Sequence, residues 1–224
     1  LLEAIRITKT YEDDIRQPML ADNREEELFD PTIIIVSSSE VYGSVPEDKQ
    51  PITEETPFSP NNPYAVGKIG EDMLGLIYWK NYGLKIIRTR FFTHTGPRRT
   101  MMSAECFYAK WIAEAERQQE QAKKHGIELT QVCKMGNMKS IRTWADVRDA
   151  VRAYYLLART NKYGEVFNIG GDTVKSIQEV LNFLLKLSTL DETKIIFEED
   201  PNLLRKADVN IQTVNTTKLR NAID

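Results

Sequence analysis

The stretch Thr32-Ile33-Ile34-Ile35-Val36-Ser37-Ser38-Ser39-Glu40 decides the fold class of this chain. An unbroken β-branched run without polar alternation predicts a strand buried on both faces of a parallel sheet, and the abrupt change to hydroxyls and a carboxylate marks its carboxyl end. Downstream, a helix is expected from about Tyr64 to Asn81 with Tyr82-Gly83 as its stop, followed by a second apolar strand from Leu84 to Phe92. That is a β-α-β unit, and it predicts an α/β fold with a mainly parallel sheet, in which ligands gather at the carboxyl ends of the strands.

The pattern continues on both sides. Ser103 to about Lys124 reads as a long helix closed by His125-Gly126, and Ile127 to Lys134 as a strand. Thr143 and Asp146 have capping-box spacing for a helix to about Arg159, and Ser176-Ile177-Gln178-Glu179 is a full capping box for a helix to about Leu187. Gly164 to Gly170 and Lys194 to Phe197 read as strands, and a last helix opens near Thr216. Upstream, Leu1 to Arg6 reads as the end of an amphipathic helix and residues 9–30 as a charge-dense, solvated insertion.

Composition narrows the function classes. Thirty Lys and Arg against 33 Asp and Glu give a net charge of -3, so no nucleic acid or anionic membrane is called for as a partner. The two cysteines and two histidines have no metal-ligand spacing, and neither a metal site nor a disulfide framework is expected. No run of about 18 apolar residues and no leader pattern is present, so a cytoplasmic location is the default expectation.

The chemistry concentrates at Tyr64-Ala65-Val66-Gly67-Lys68. Tyrosine and lysine at i and i+4 share one helix face, where an ammonium favours the phenolate, so that tyrosinate can take a proton from a substrate hydroxyl while hydride leaves for a nicotinamide. Ser38 would hydrogen-bond the same substrate oxygen. Tyr-x-x-x-Lys alone is a common exposed-helix pattern. What raises it is the order of a buried strand, Ser-Ser-Ser-Glu-Val-Tyr-Gly, a proline-rich turn, and then the tyrosine opening a helix.

In these segments, together with Arg88 to Arg99, Gly136 to Asp149 and Val166 to Gly171, the chain resembles the extended short-chain dehydrogenase/reductase family and, within it, the GDP-mannose 4,6-dehydratase branch. The resemblance implies a Rossmann-like sheet with a small α/β substrate-binding part. Residues 1–100 would be a partial cofactor and catalytic domain, and 101–224 mainly the substrate part, with 143–170 returning to the sheet. It makes Tyr64 the base at the C4 hydroxyl, Lys68 its partner, Ser38 the orienting hydroxyl, and Glu40 the base that removes the C5 proton once C4 is a ketone. Water then leaves from C6 and the hydride returns there.

A capping or salt-bridged carboxylate is the alternative for Glu40, and Ser39 is either an accessory acid/base at the substrate or a turn former. Thr93 stands at a substrate-binding position. His94 and Arg99 are placed beside the cofactor, although His94 could equally be structural and Arg99 a solvated loop residue. Arg142 and Arg205 are the candidates for the diphosphate, since guanidinium binds phosphate bidentately, with Asp208 at the ribose and Asn168 supporting the pocket. Lys206 stands where the branch often has proline.

The implied cofactor is NADP, with NAD as the alternative, the implied substrate a GDP-sugar, and the implied assembly a homodimer or homotetramer. A reductase or epimerase, or an inactive fragment, are the competing readings. The family's cofactor fold opens with a glycine-rich turn, yet none of the 11 glycines forms G-x-G-x-x-G or G-x-x-G-x-x-G, which reads as a partial chain.

Overall fold

The computed structural model describes residues 1–19, 29–204 and 209–223. In chain order the elements begin with α1 (Leu2–Met19), β1 (Ile33–Ser38), α2 (Pro63–Tyr82), β2 (Ile86–Phe91) and β3 (His94–Thr95). They continue with α3 (Ala104–Lys124), β4 (Gln131–Met135), β5 (Ile141–Asp146), α4 (Val147–Ala158), β6 (Val166–Ile169) and β7 (Thr173–Ser176). α5 (Ile177–Lys186), β8 (Ile195–Glu199), β9 (Ile211–Gln212) and α6 (Thr217–Ile223) complete them.

The expected β-α-β unit is present and the fold is α/β with mainly parallel sheets. β1, β2 and β6 form one parallel sheet in that order, with Ser38 opposite Phe91 and Phe91 opposite Ile169. A second sheet joins β3, β5 and β7, with β9 also on β5, and only the β5–β7 pairing is antiparallel. A parallel pair, β4 and β8, lies beyond α3. Of residues 143–170, then, β6 joins the first sheet while β5 belongs to the second.

β1 departs from the expected two-sided burial. It is one of the two edge strands of its sheet among the described residues and leaves Val36 half exposed, whereas every residue of the central strand β2 is buried. The segment from Lys9, expected as an insertion, continues α1 as far as Met19, and its two ends are tied: Lys9 Nζ and Lys85 Nζ each lie 2.8 Å from Asp30. Thr143 does not cap a helix. β5 runs through it, and Asp146 caps α4 by accepting from the Arg148 N–H at 2.8 Å. The i, i+3 spacing fell inside a strand whose ladder with β7 supplies the backbone partners that a cap would otherwise have to provide.

Other local signals act as expected. Gly83 closes α2 in the left-handed region, and Ser176 and Glu179 exchange both hydrogen bonds of a capping box. Apolar burial gathers in three places: around Phe91, Leu157 and Phe167 beneath α4; around Tyr108, Cys133 and Leu181 between α3, β4 and α5; and around Tyr42, Ile52 and Phe92 behind the end of β1.

Candidate active site

β1 ends at Ser38, and the chain turns at once through a single helical turn, Ser39–Tyr42. Ser38 Oγ accepts the Glu40 N–H at 3.2 Å, which leaves the hydroxyl proton of Ser38 available to a further partner. Gly43 ends the turn at φ 59°, and a side chain there would run into the carbonyl oxygen of Ser59. The turn therefore requires glycine both for its backbone and for its close approach to the Pro-rich segment.

α2 starts opposite. Asn62 is its N-cap, with Oδ1 accepting the Ala65 N–H at 2.8 Å, and Pro63 fills the first helical position. Tyr64 sits in the first turn and is more than half exposed. One turn on, Lys68 Nζ donates to the Val36 carbonyl at 3.0 Å and to Glu71 at 2.8 Å, and it lies 5.8 Å from the Tyr64 ring centre. Ser37 Oγ donates to the Lys68 carbonyl at 3.1 Å, so the helix turn bearing the lysine is fastened to the end of β1.

Glu40, Asn62, Tyr64, Arg99, Ser103 and Arg142 line one cavity of about 780 Å³. A second, of about 440 Å³, shares Glu40, Arg99, Ser103 and Arg142 and adds Thr93 and Asn137. Both sizes suit a small ligand. A phenol, a carboxylate and guanidinium groups lining one cavity can move protons on a ligand while holding its anionic groups. The donor set at Tyr64 and Lys68 fits the sugar-hydroxyl end of a nicotinamide cofactor, while the described residues offer no glycine turn for its pyrophosphate.

The remaining expected residues divide. Thr93 lies between β2 and β3, and its carbonyl accepts the Ala145 N–H at 3.0 Å. Arg142 Nη1 donates to the Ile141 carbonyl at 2.9 Å. Arg99 Nε stands 2.8 Å from Glu105 Oε1, an ion pair that lacks hydrogen-bond geometry. His94 is held by its neighbours, edge-on to Phe91 at 4.3 Å between ring centres and with Nδ1 3.2 Å from the Phe92 carbonyl.

Two residues expected at the substrate lie in the interior instead. Ser39 is buried, its hydroxyl donating to Gln212 Oε1 at 3.0 Å while Gln212 Nε2 returns a bond to its carbonyl at 3.2 Å. Asn168, fully buried in β6, accepts from Tyr42 OH at 2.7 Å, and its N–H donates to Glu54 at 2.8 Å. Cut off from water, such groups need internal partners, and here they have them. Arg205 and Asp208 lie outside the described residues.

A charged cluster escaped the sequence reading. Asp72 on α2, fully buried, accepts from Arg88 Nη1 at 2.7 Å and from Arg90 Nε at 2.8 Å, and Arg90 also donates to Tyr42 OH at 2.9 Å. Burial pushes the Tyr42 phenol above its ordinary range, although Arg90 acts in the opposite direction. Burial would lower the Arg90 pKa, but the bonds to Asp72 and the nearby Tyr42 outweigh it and raise the value. The signal was there to find: arginines two apart in an otherwise apolar strand share one face, and Asp72 stands two helical turns past Tyr64.

Comparison with known proteins converges on one family. The family model described as GDP-mannose 4,6 dehydratase matches residues 1–224. The chain is 31% identical over 180 residues to the GDP-6-deoxy-D-mannose reductase of Pseudomonas aeruginosa, covering 80% of this chain and 55% of that protein. It is 30% identical over 165 residues to a dTDP-glucose 4,6-dehydratase of Actinoplanes sp., covering 74% and 47%. It thus spans about half the length of the curated relatives it matches.

Among solved structures, RMD from Pseudomonas aeruginosa complexed with NADPH superposes with a TM-score of 0.74 at 25% identity, covering 98% of this chain and 67% of that one. The dTDP-glucose 4,6-dehydratase of Bacillus anthracis in complex with NAD gives 0.66 at 27% identity, covering 85% and 55%. The parallel β-α-β unit, the tyrosine and lysine one turn apart and the family match over residues 1–224 together place this chain in the GDP-mannose 4,6-dehydratase family of extended short-chain dehydrogenases/reductases.

Proposed function

We propose that this chain carries the acid-base residues of a nucleotide-sugar 4,6-dehydratase that converts GDP-mannose to GDP-4-keto-6-deoxymannose. The observation that carries the reading is that Glu40 and Tyr64 face one cavity, with Arg99 and Arg142 in the same wall. Two bases are what oxidation followed by elimination needs. Tyr64, beside the Lys68 ammonium, takes the proton of the C4 hydroxyl, and Ser38 donates to the same oxygen with the proton left over from its contact to Glu40 N–H. Glu40 removes the C5 proton made acidic by the C4 ketone, that proton departs with the C6 hydroxyl as water, and when hydrogen returns to C6 the proton held by Tyr64 passes to C5 and completes the 6-deoxy product. Arg142 and Arg99 hold the diphosphate.

NADP, or NAD in its place, supplies the site that accepts hydrogen from C4 and returns it to C6, and Tyr64 and Lys68 would hold its sugar hydroxyls. Residues 1–100 would provide the catalytic part and 101–224 most of the substrate part. Val66, Leu74 and Ile77 form an exposed apolar stripe on α2, which supports a homodimer through this helix. No helix among the described residues is long and apolar enough to cross a membrane.

The identity to a GDP-6-deoxy-D-mannose reductase favours one second reading, reduction of a 4-keto sugar, in which Glu40 is idle. The test is incubation with GDP-mannose and NADP, followed by mass spectrometry of the sugar nucleotide. Loss of one water, abolished in Glu40→Gln and Tyr64→Phe, is the expected result. Consumption of NADPH with a GDP-4-keto-6-deoxy sugar, unaffected by Glu40→Gln, would establish the reductase instead.

A further inference from the structure

Serine, threonine, aspartate and asparagine cap helices about equally well, but they differ in what they have left to offer once the cap is made. Asn62 caps the Tyr64 helix through Oδ1. An amide nitrogen cannot accept from the Ala65 N–H, so the cap fixes which way the side chain faces, and Nδ2 must point the opposite way. It does so toward Glu40, donating to Oε2 at 3.1 Å and, with its other hydrogen, to Asn61 Oδ1 at 2.9 Å. Asn62, Glu40 and Tyr64 line the same cavity. Asparagine divides the two tasks between separate atoms, the oxygen capping and the nitrogen donating, whereas a capping aspartate has no proton to give a carboxylate.

From this we infer that Asn62 is a positioning residue: it couples the start of the Tyr64 helix to the Glu40 carboxylate and sets the direction in which that carboxylate faces the cavity. The inference rests on the proposed function only in giving Glu40 work to do. The coupling itself belongs to the structure. Ser38 holds the backbone of Glu40 and Asn62 holds its side chain, so the two groups proposed as bases are presented by one connected unit.

The test separates the cap from the donor. Asn62→Gly caps nearly as well and has no side-chain donor. Its melting midpoint should stay within about 2 °C of the parent protein, while water loss from GDP-mannose falls about tenfold at unchanged KM and nicotinamide reduction in a single turnover keeps its rate. In a Glu40→Gln background the same substitution should cause no further loss. Equal slowing of both steps, or a tenfold loss that persists without Glu40, would show a merely structural cap and overturn the inference.

A second variant needs no turnover. Asn62→Asp caps at least as well and suits the helix dipole, but places a carboxylate against Glu40. Its midpoint should drop by about 2–4 °C and recover when Glu40→Gln is added. A drop that Glu40→Gln does not relieve, or none at all, sinks the coupling. If the unmutated protein performs neither step on GDP-mannose, the functional reading fails, and the melting series still decides the link between Asn62 and Glu40.

Discussion

Two helix-on-strand contacts in this molecule are built from opposite materials. α2 lies on β1 and β2 with Asp72 between Arg88 and Arg90, all three buried. α3 and α5 meet β4 through Tyr108, Ile112, Leu181, Leu185 and Cys133, with burial pushing the Cys133 thiol up to about 11. Such a thiol is a packing group and not a nucleophile.

The difference lies in what each contact specifies. Buried ions contribute little net stability after desolvation, but their bonds are directional, and sliding or rotating α2 would break them. Apolar contacts conserve volume and tolerate repacking. The helix that presents Tyr64 and Lys68 is the one held by direction. Through Arg90 and Tyr42 the same network reaches the turn that presents Glu40.

The sharpest way to break this contrast is Asp72→Ala. It strands two buried guanidinium groups and should cost about 3–5 kcal/mol, read as a lowered urea midpoint. Leu181→Ala in the apolar contact should cost about 3 kcal/mol and Leu181→Met less than about 1.5 kcal/mol, in the same measurement. If Asp72→Ala is the milder change, direction is not what holds α2.

The smallest effect belongs to the surface of the apolar half. Lys175 first, then the N–H and hydroxyl of Ser176, hold the Glu179 carboxyl down to about 2. A folded value below the unfolded one stabilises at pH above the unfolded value, and that contribution is lost as pH falls toward the folded value. The difference in melting midpoint between the parent protein and Glu179→Ala should therefore be constant from about pH 7 to 5 and shrink toward zero near pH 2. A difference that persists at pH 2 would separate the cap from its charge.

Much of this molecule was legible because its signals act over three or four residues. The β-branched run at Thr32 to Val36, Gly83 at the end of α2, the box of Ser176 and Glu179, and the turn between Tyr64 and Lys68 are all set by backbone geometry and near neighbours. The same reasoning misread Thr143, because residues three apart look alike in a strand and a cap until the partner strand is known.

By itself, then, the sequence determined the alternation of strands and helices, the family, and the facing of Tyr64 and Lys68. Tertiary structure alone decided that Ser39 and Asn168 turn inward to Gln212 and Tyr42, that Asp72 binds arginines 16 and 18 residues away, and that Asn62 meets Glu40 across 22 residues. Whether a polar group faces ligand or core depends on which elements pack over it, and burial then forces it to find a partner wherever the fold supplies one.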